Sequence, residues 1–77
     1  MVINETTALV AGRVEASRRA ADIPRLQLAE VSGIARTTLA RKLDGHMEFK
    51  LSELTTLSRC LGANFSEWLQ GVGEVTP

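Results

Sequence analysis

Cysteine is almost absent from this chain. The single Cys60 has no intrachain partner, which excludes a disulfide scaffold, fits a reducing cytoplasm and leaves core packing to stabilise the fold. A lone thiol of this kind is expected as a small core hydrophobe. Aromatic residues are scarce too, with only Phe49, Phe65 and Trp68 present. No apolar run approaches the roughly 18 to 20 residues that a membrane span requires, so no membrane partner is expected. A secretory leader is not expected either, because Asn4 and Glu5 stand where a cationic stretch should lead into an apolar one. His46 is the only histidine, and one His with one distant Cys gives no zinc-ligand spacing, so neither metal nor cofactor is expected. Catalysis is excluded on similar grounds. There is no nucleophile with a paired base and no Gly-rich phosphate loop ahead of a helix, since Gly71-Val72-Gly73 falls in a tail.

The 77 residues leave room for one small core and one function, where a typical domain has roughly 100 to 150 residues. Nine basic and nine acidic side chains cancel, so bulk charge would not hold the protein to a polyanion. Their distribution is uneven. The middle of the chain carries Arg25, Arg36, Arg41, Lys42 and Lys50 against Glu30, Asp44 and Glu48, whereas residues 51–77 carry Arg59 against Glu53, Glu67 and Glu74. One face is therefore expected to attract an anion that the rest does not.

Pro24, Gly33, Gly45, Gly62 and Gly71 cut the chain into segments of helical length. The first helix is expected from about Thr6 to Ala21, with Val10, Val14 and Ala21 at helical spacing and Asn4, Thr6 or Thr7 to cap it. Pro24 lacks an amide donor and disfavours helical geometry at Ile23, so a second helix must open there and run to Ser32, with Leu28 and Ala29 facing inward. The third runs from about Ala35 to Asp44, placing Leu39 and Leu43 on one stripe and Arg36, Thr37, Ala40 and Arg41 on an adjacent, outward arc. The fourth carries the apolar stripe Leu51, Leu54, Leu57 and Leu61 and stops at Gly62. The fifth begins with Asn64 and Glu67 as a capping box, buries Phe65, Trp68 and Leu69, and frays at Gly71. No sustained alternation marks a strand, so the class is all-α, with a folded domain over residues 1–71 and a short disordered tail over residues 72–77.

The stretch from Leu28 to Leu39 has what a helix-turn-helix needs: small Ala29 where the helices cross, Gly33 for the turn, and Ile34 and Leu39 to fasten the third helix to the core. With Val14 and Arg18 in the first helix, Ile23 before the second, Leu28-Ala29, Gly33-Ile34, Leu39, Gly45, Leu54, Leu57, Leu61-Gly62, Phe65 and Leu69, the chain resembles the Cro and C1 repressor-like (XRE-type) helix-turn-helix family from about Leu9 to Leu69. The segment from Thr38 to Gly45, followed by Phe49 and Glu53-Leu54, is most similar to actinobacterial and actinophage members. The resemblance implies a compact five-helix, lambda-repressor-like domain in the cytoplasm of a bacterial or phage-host cell. Relatives often open the second and third helices on serine or threonine, where Pro24 and Ala35 stand here. Many pair the arginine of the first helix with a glutamate near the end of the third. That position is Leu43, so Arg18 either finds another carboxylate or stays solvated near a phosphate.

The function implied by the resemblance is binding of a double-stranded DNA operator by a small transcriptional regulator, with the third helix in the major groove. Arg36, Thr37 and Arg41 then read bases, and a contact with the thymine methyl falls to Ala40. Arg25, Gln27, Thr38, Lys42, His46 and Lys50 hold the DNA backbone. A homodimer is expected to use the last helix and tail, through Trp68, Val72 and Val75. The competing reading is an antitoxin or other protein-interaction module built on the same fold, kept open by zero net charge and the acidic C-terminal third.

Overall fold

The computed structural model describes residues 5–72. They form α1 (Glu5–Ala20), α2 (Arg25–Ser32), α3 (Arg36–Leu43), α4 (Leu51–Leu61) and α5 (Phe65–Trp68), with no strand among the described residues. The first four lie within two residues of their expected limits. Ala21 falls outside α1 and is exposed. The last helix is shorter than expected, a single turn, and Leu69 follows it in a turn.

The helix ends explain why the punctuation was informative. At Gly45 and Gly62 the chain turns left-handed, at φ 82° and 63°. Around Gly45, the Gly45 amide reaches Lys42 O at 3.1 Å and the His46 amide reaches Arg41 O at 2.9 Å, satisfying carbonyls that the end of α3 leaves open. The end of α1 closes the same way without glycine. Asp22 sits at φ 56°, its amide donates to Arg19 O at 3.0 Å, and the Ile23 amide donates to Arg18 O at 3.3 Å. Aspartate is one of the few residues that visits this region at modest cost.

Packing follows the apolar spacing. α2 lies on α3 and α4, α1 on α3 and α5, and α4 on α5. Their shared core is Val10, Val14, Leu28, Ala29, Leu39, Leu43, Leu54, Leu57 and Trp68, with Ile23, Ile34, Phe49, Phe65 and Leu69 half-buried around it. Cys60, expected inside, is half-buried against the same cluster. Leu51, expected on the apolar stripe of α4, is 65% exposed: it opens the helix, ahead of the turn that meets the core. Trp68 is 2% exposed, and its indole Nε1 donates to Ser17 Oγ at 2.8 Å, tying α5 to α1. Arg13 completes that junction by donating to the carbonyls of Trp68, at 3.2 Å, and Gln70 beyond the end of α5. A cation there complements the helix dipole.

Candidate nucleic-acid interface

The turn between α2 and α3 depends on two side-chain choices. Gly33 takes φ 75°, and its amide donates to Ala29 O at 3.0 Å. Ser32 then bridges the corner: its Oγ donates to Ala29 O and accepts from the Ile34 amide, both at 3.3 Å. Ala29 is buried in the core cluster. α3 leaves this turn with its faces sorted by the helical period. Leu39, Lys42 and Leu43 are buried, Ala40 and Thr38 half-buried, and Arg36, Thr37 and Arg41 exposed. The four residues expected to read bases thus share the outward side, with Ala40 deepest between the two arginines.

Lys42 requires a correction. It was expected to hold a phosphate, but it is only 4% exposed and its Nζ lies 2.5 and 2.7 Å from the two carboxylate oxygens of Glu53 on α4. The physical reason is phase. Lys42 is three residues beyond Leu39 and beside Leu43, on the stripe that faces the core. Its alkyl stem packs there and its ammonium needs an anion. Glu53 also accepts from the Lys50 backbone amide at 2.7 Å, closing the first turn of α4. Desolvation pushes the Glu53 carboxyl up, but the Lys42 bond, the Lys50 amide and the nearby ammonium charges together hold it below its ordinary value.

The second cluster joins α1, the start of α2 and the end of α3. Glu15, buried on α1, is ion-paired with Arg18 on its own helix, and Arg18 also donates to Ile23 O at 2.9 Å. Arg18 therefore finds the other carboxylate that the absence of a partner at Leu43 required. Arg25 Nε donates to Glu15 Oε2 at 3.1 Å, and the Arg25 guanidinium also reaches Asp44 Oδ1 at 2.8 Å. These bonds, Asp44 first and Glu15 second, hold Arg25 above its ordinary range, while the Arg25 bond is the main influence that lowers Asp44. Arg25 was expected as a free cation for a phosphate. Its guanidinium is instead shared between two carboxylates, with the side chain 35% exposed.

Of the remaining expected backbone contacts, Gln27, His46 and Lys50 are exposed and Thr38 half-buried. The expected dimer contacts fare differently. Trp68 is a core residue, enclosed because α5 packs that ring onto α1, and has no surface to offer a second copy. Val72, assigned to the tail, is half-buried against the core. Val75 lies outside the described residues. Among the described residues, no group of three or more His, Cys, Asp or Glu side chains could hold a metal ion, and no helix is long and apolar enough to cross a membrane.

Sequence reasoning missed Glu15, Glu53, Asp44 and Arg13 as organising residues. Two signals were present. Glu15 precedes Arg18 by three, the spacing of neighbours on one helix face, and Glu53 follows Lys50 by three, the spacing of a carboxylate that returns to its own helix start. No protein-family model matches the chain, and no curated protein matches it.

Proposed function

We propose that this domain binds double-stranded DNA sequence-specifically, as a small transcriptional regulator of Cro or repressor type, with α3 in the major groove. The observation that carries the reading is the two-sided build of α3. Arg36 and Arg41 are exposed and have no salt bridge among the described residues, while Leu39 and Leu43 and the Lys42–Glu53 pair fix the other side of the helix to the core. Two free guanidiniums on a rigid helix suit guanine O6 and N7, and the methyl of Ala40 between them suits thymine. Gln27, Thr38, His46 and Lys50 supply donors for phosphates, which set register without reading sequence.

One domain of this size buries roughly 600 to 1,000 Å² on DNA, which is modest. Two copies on an inverted repeat, with half-site centres about 10 base pairs apart, follow from the usual geometry of paired helix-turn-helix domains. Selection from random-sequence duplexes, followed by titration at several salt concentrations, tests the reading. A single enriched motif bound in preference to competitor DNA is expected. Folded protein that enriches no motif and shows no such preference would overturn it.

One observation favours the second reading, a protein-interaction module. A mainly apolar groove of about 220 Å³ runs between α1, the start of α4 and the end of α5, lined by Val10, Phe49, exposed Leu51, Leu54, Leu69 and Val72 together with the polar Thr6, Thr7 and Glu48. Apolar anchors of this kind suit a protein partner. The same selection separates the two, because a module of that type enriches no DNA motif.

A further inference from the structure

Resting on the DNA-binding reading, we infer that Asp44 is a built-in phosphate surrogate: it occupies in the free protein the Arg25 donor that a backbone phosphate would take, and so lowers affinity for duplex DNA of every sequence. The geometry carries this. Arg25 is the first residue of α2, and Pro24 before it supplies no capping side chain. A helix start with open amides and a guanidinium is suited to an oxyanion. An oxyanion is already there. Asp44 Oδ1 sits 2.8 Å from the guanidinium, on the chain just past α3.

The two carboxylates that hold Arg25 are not equivalent. The Glu15 side chain is 12% exposed and is engaged by Arg18 as well, so it is part of the frame. The Asp44 side chain is 47% exposed, and Arg25 is its only side-chain hydrogen-bond partner among the described residues. Asp44 is thus the exchangeable member. A phosphate presents the same acceptor geometry to an arginine as a carboxylate does, but to take Arg25 it must displace Asp44 and tolerate its charge nearby. With the Asp44 charge removed, Glu15 alone faces Arg18, Arg25 and the outlying Arg19, whose Nε is 3.8 Å from Glu15, and the start of α2 becomes cationic. Backbone contacts carry no sequence information, so the effect falls equally on operator and random DNA.

The test compares wild type with D44N, and with D44A as a second variant lacking the acceptor altogether, each first shown to be folded by circular dichroism. Binding to the selected operator and to a random duplex is titrated from 50 to 200 mM salt. Both variants are expected to bind both duplexes more tightly at low salt, with the log–log salt slope steeper by about one. One extra phosphate contact means affinity falls about threefold more across that range. The base preference stays unchanged. In an R25A background D44N gains nothing, and E67Q, which removes an exposed acid on α5, leaves the slope as in wild type. Affinity and slope that stay at wild-type values in D44N and D44A, or a gain that survives in R25A, overturn the inference while leaving the DNA reading intact. A wild type that enriches no motif removes the sequence-specific reading, whereas a D44N gain on random DNA that requires Arg25 still upholds the surrogate. If neither protein binds any duplex, both fall.

Discussion

The helices of this domain begin in two opposite ways. α1 and α5 start with acids in the first turn, Glu5 and Glu67, and α5 adds Asn64, whose Oδ1 accepts from the Ser66 amide at 3.0 Å. α2 and α3 start on arginine, follow Pro24 and Ala35, and have neither a capping side chain nor an acid in the first turn. α4 is intermediate: Lys50 precedes it, but Glu53 returns to the Lys50 amide. An acid at a helix start stabilises it by about 0.3 to 1 kcal/mol, and a cation there works against the dipole. The first and last helices thus carry acids of their own at their starts. α2 and α3 have no side-chain cap at their starts, although Asp44 already meets the Arg25 guanidinium at the start of α2; a DNA phosphate, under the proposed reading, would complement both ends.

The strongest way to break this comparison is to remove what holds the open pair of helices in place. Lys42→Ala leaves Glu53 largely buried without its cation, and breaking a buried pair from one side costs about 3 to 5 kcal/mol. A large fall in melting temperature is expected, against little change for Arg59→Ala on an exposed position of α4. Equal melts for the two would show that Lys42 is not an anchor. Acid attacks this pair and the Arg25–Asp44 pair. The Glu53 and Asp44 carboxyls are both held below their ordinary values of 4.5 and 3.8, so their stabilisation is complete above those values and is lost as pH falls through the lower, folded values. Melting temperature should therefore hold between neutrality and about pH 5 and decline below about pH 4, and a flat profile down to pH 3 would contradict both pairs.

Leu43→Ala tests the apolar half of the same anchor. Leu43 is buried beside Lys42, and truncation there should cost roughly 2 to 5 kcal/mol, a large share of the 5 to 15 kcal/mol that stabilises a typical domain. A melt within a degree or two of wild type would mean that α3 is held by something else.

How much of this arrangement the sequence disclosed follows from the range of each interaction. Gly33, Gly45, Gly62 and Pro24 act through local backbone geometry, and the helix limits they implied agree closely with those observed. The apolar core residues of α3, Leu39 and Leu43, emerged from the helical period alone. The ion pairs did not. Arg25 meets Glu15 ten residues away and Asp44 nineteen residues away, and which of many carboxylates an arginine reaches depends on how three helices cross. Lys42 was misplaced because its residue type was weighed above its position, although Leu39, Lys42 and Leu43 stand at the spacing of a single buried stripe. Trp68 carried two expectations, burial on the fifth helix and a contact with a second copy; the helical period supplied the first, and the enclosure of the ring against α1 leaves no surface for the second.

A smaller effect, confined to one function, is expected at the open face itself. Arg36→Ala and Arg41→Ala should each cost about 1 to 3 kcal/mol on the selected operator and relax preference at one base-pair position, with the melting temperature close to wild type, because both side chains are exposed and make no salt bridge among the described residues. Equal loss on operator and random DNA would reassign that arginine from bases to phosphate.

The smallest expected change sharpens the comparison most, because it moves stability and binding in opposite directions. Ala35 precedes α3 with extended backbone, at φ −54° and ψ 137°, and is exposed. An aspartate there has the backbone geometry of a cap and can accept from the amides of Thr37 or Thr38, so Ala35→Asp should raise stability by about 0.5 to 2 kcal/mol. The same carboxylate would stand beside Arg36, at the end of α3 that meets the polyanion under the proposed DNA-binding reading, so under that reading affinity for every duplex should fall. Ala35→Ser separates the two contributions. It supplies a capping oxygen without charge, and should recover most of the added stability while losing less of the binding. Thermal melts and salt titrations on the three proteins give both readouts. If α3 begins as it does because an anion is expected from outside, the aspartate variant is the more stable and the weaker binder; if it melts lower than wild type, or binds DNA as tightly, the open start of α3 has no connection with an anion and the contrast with α1 and α5 is one of composition alone.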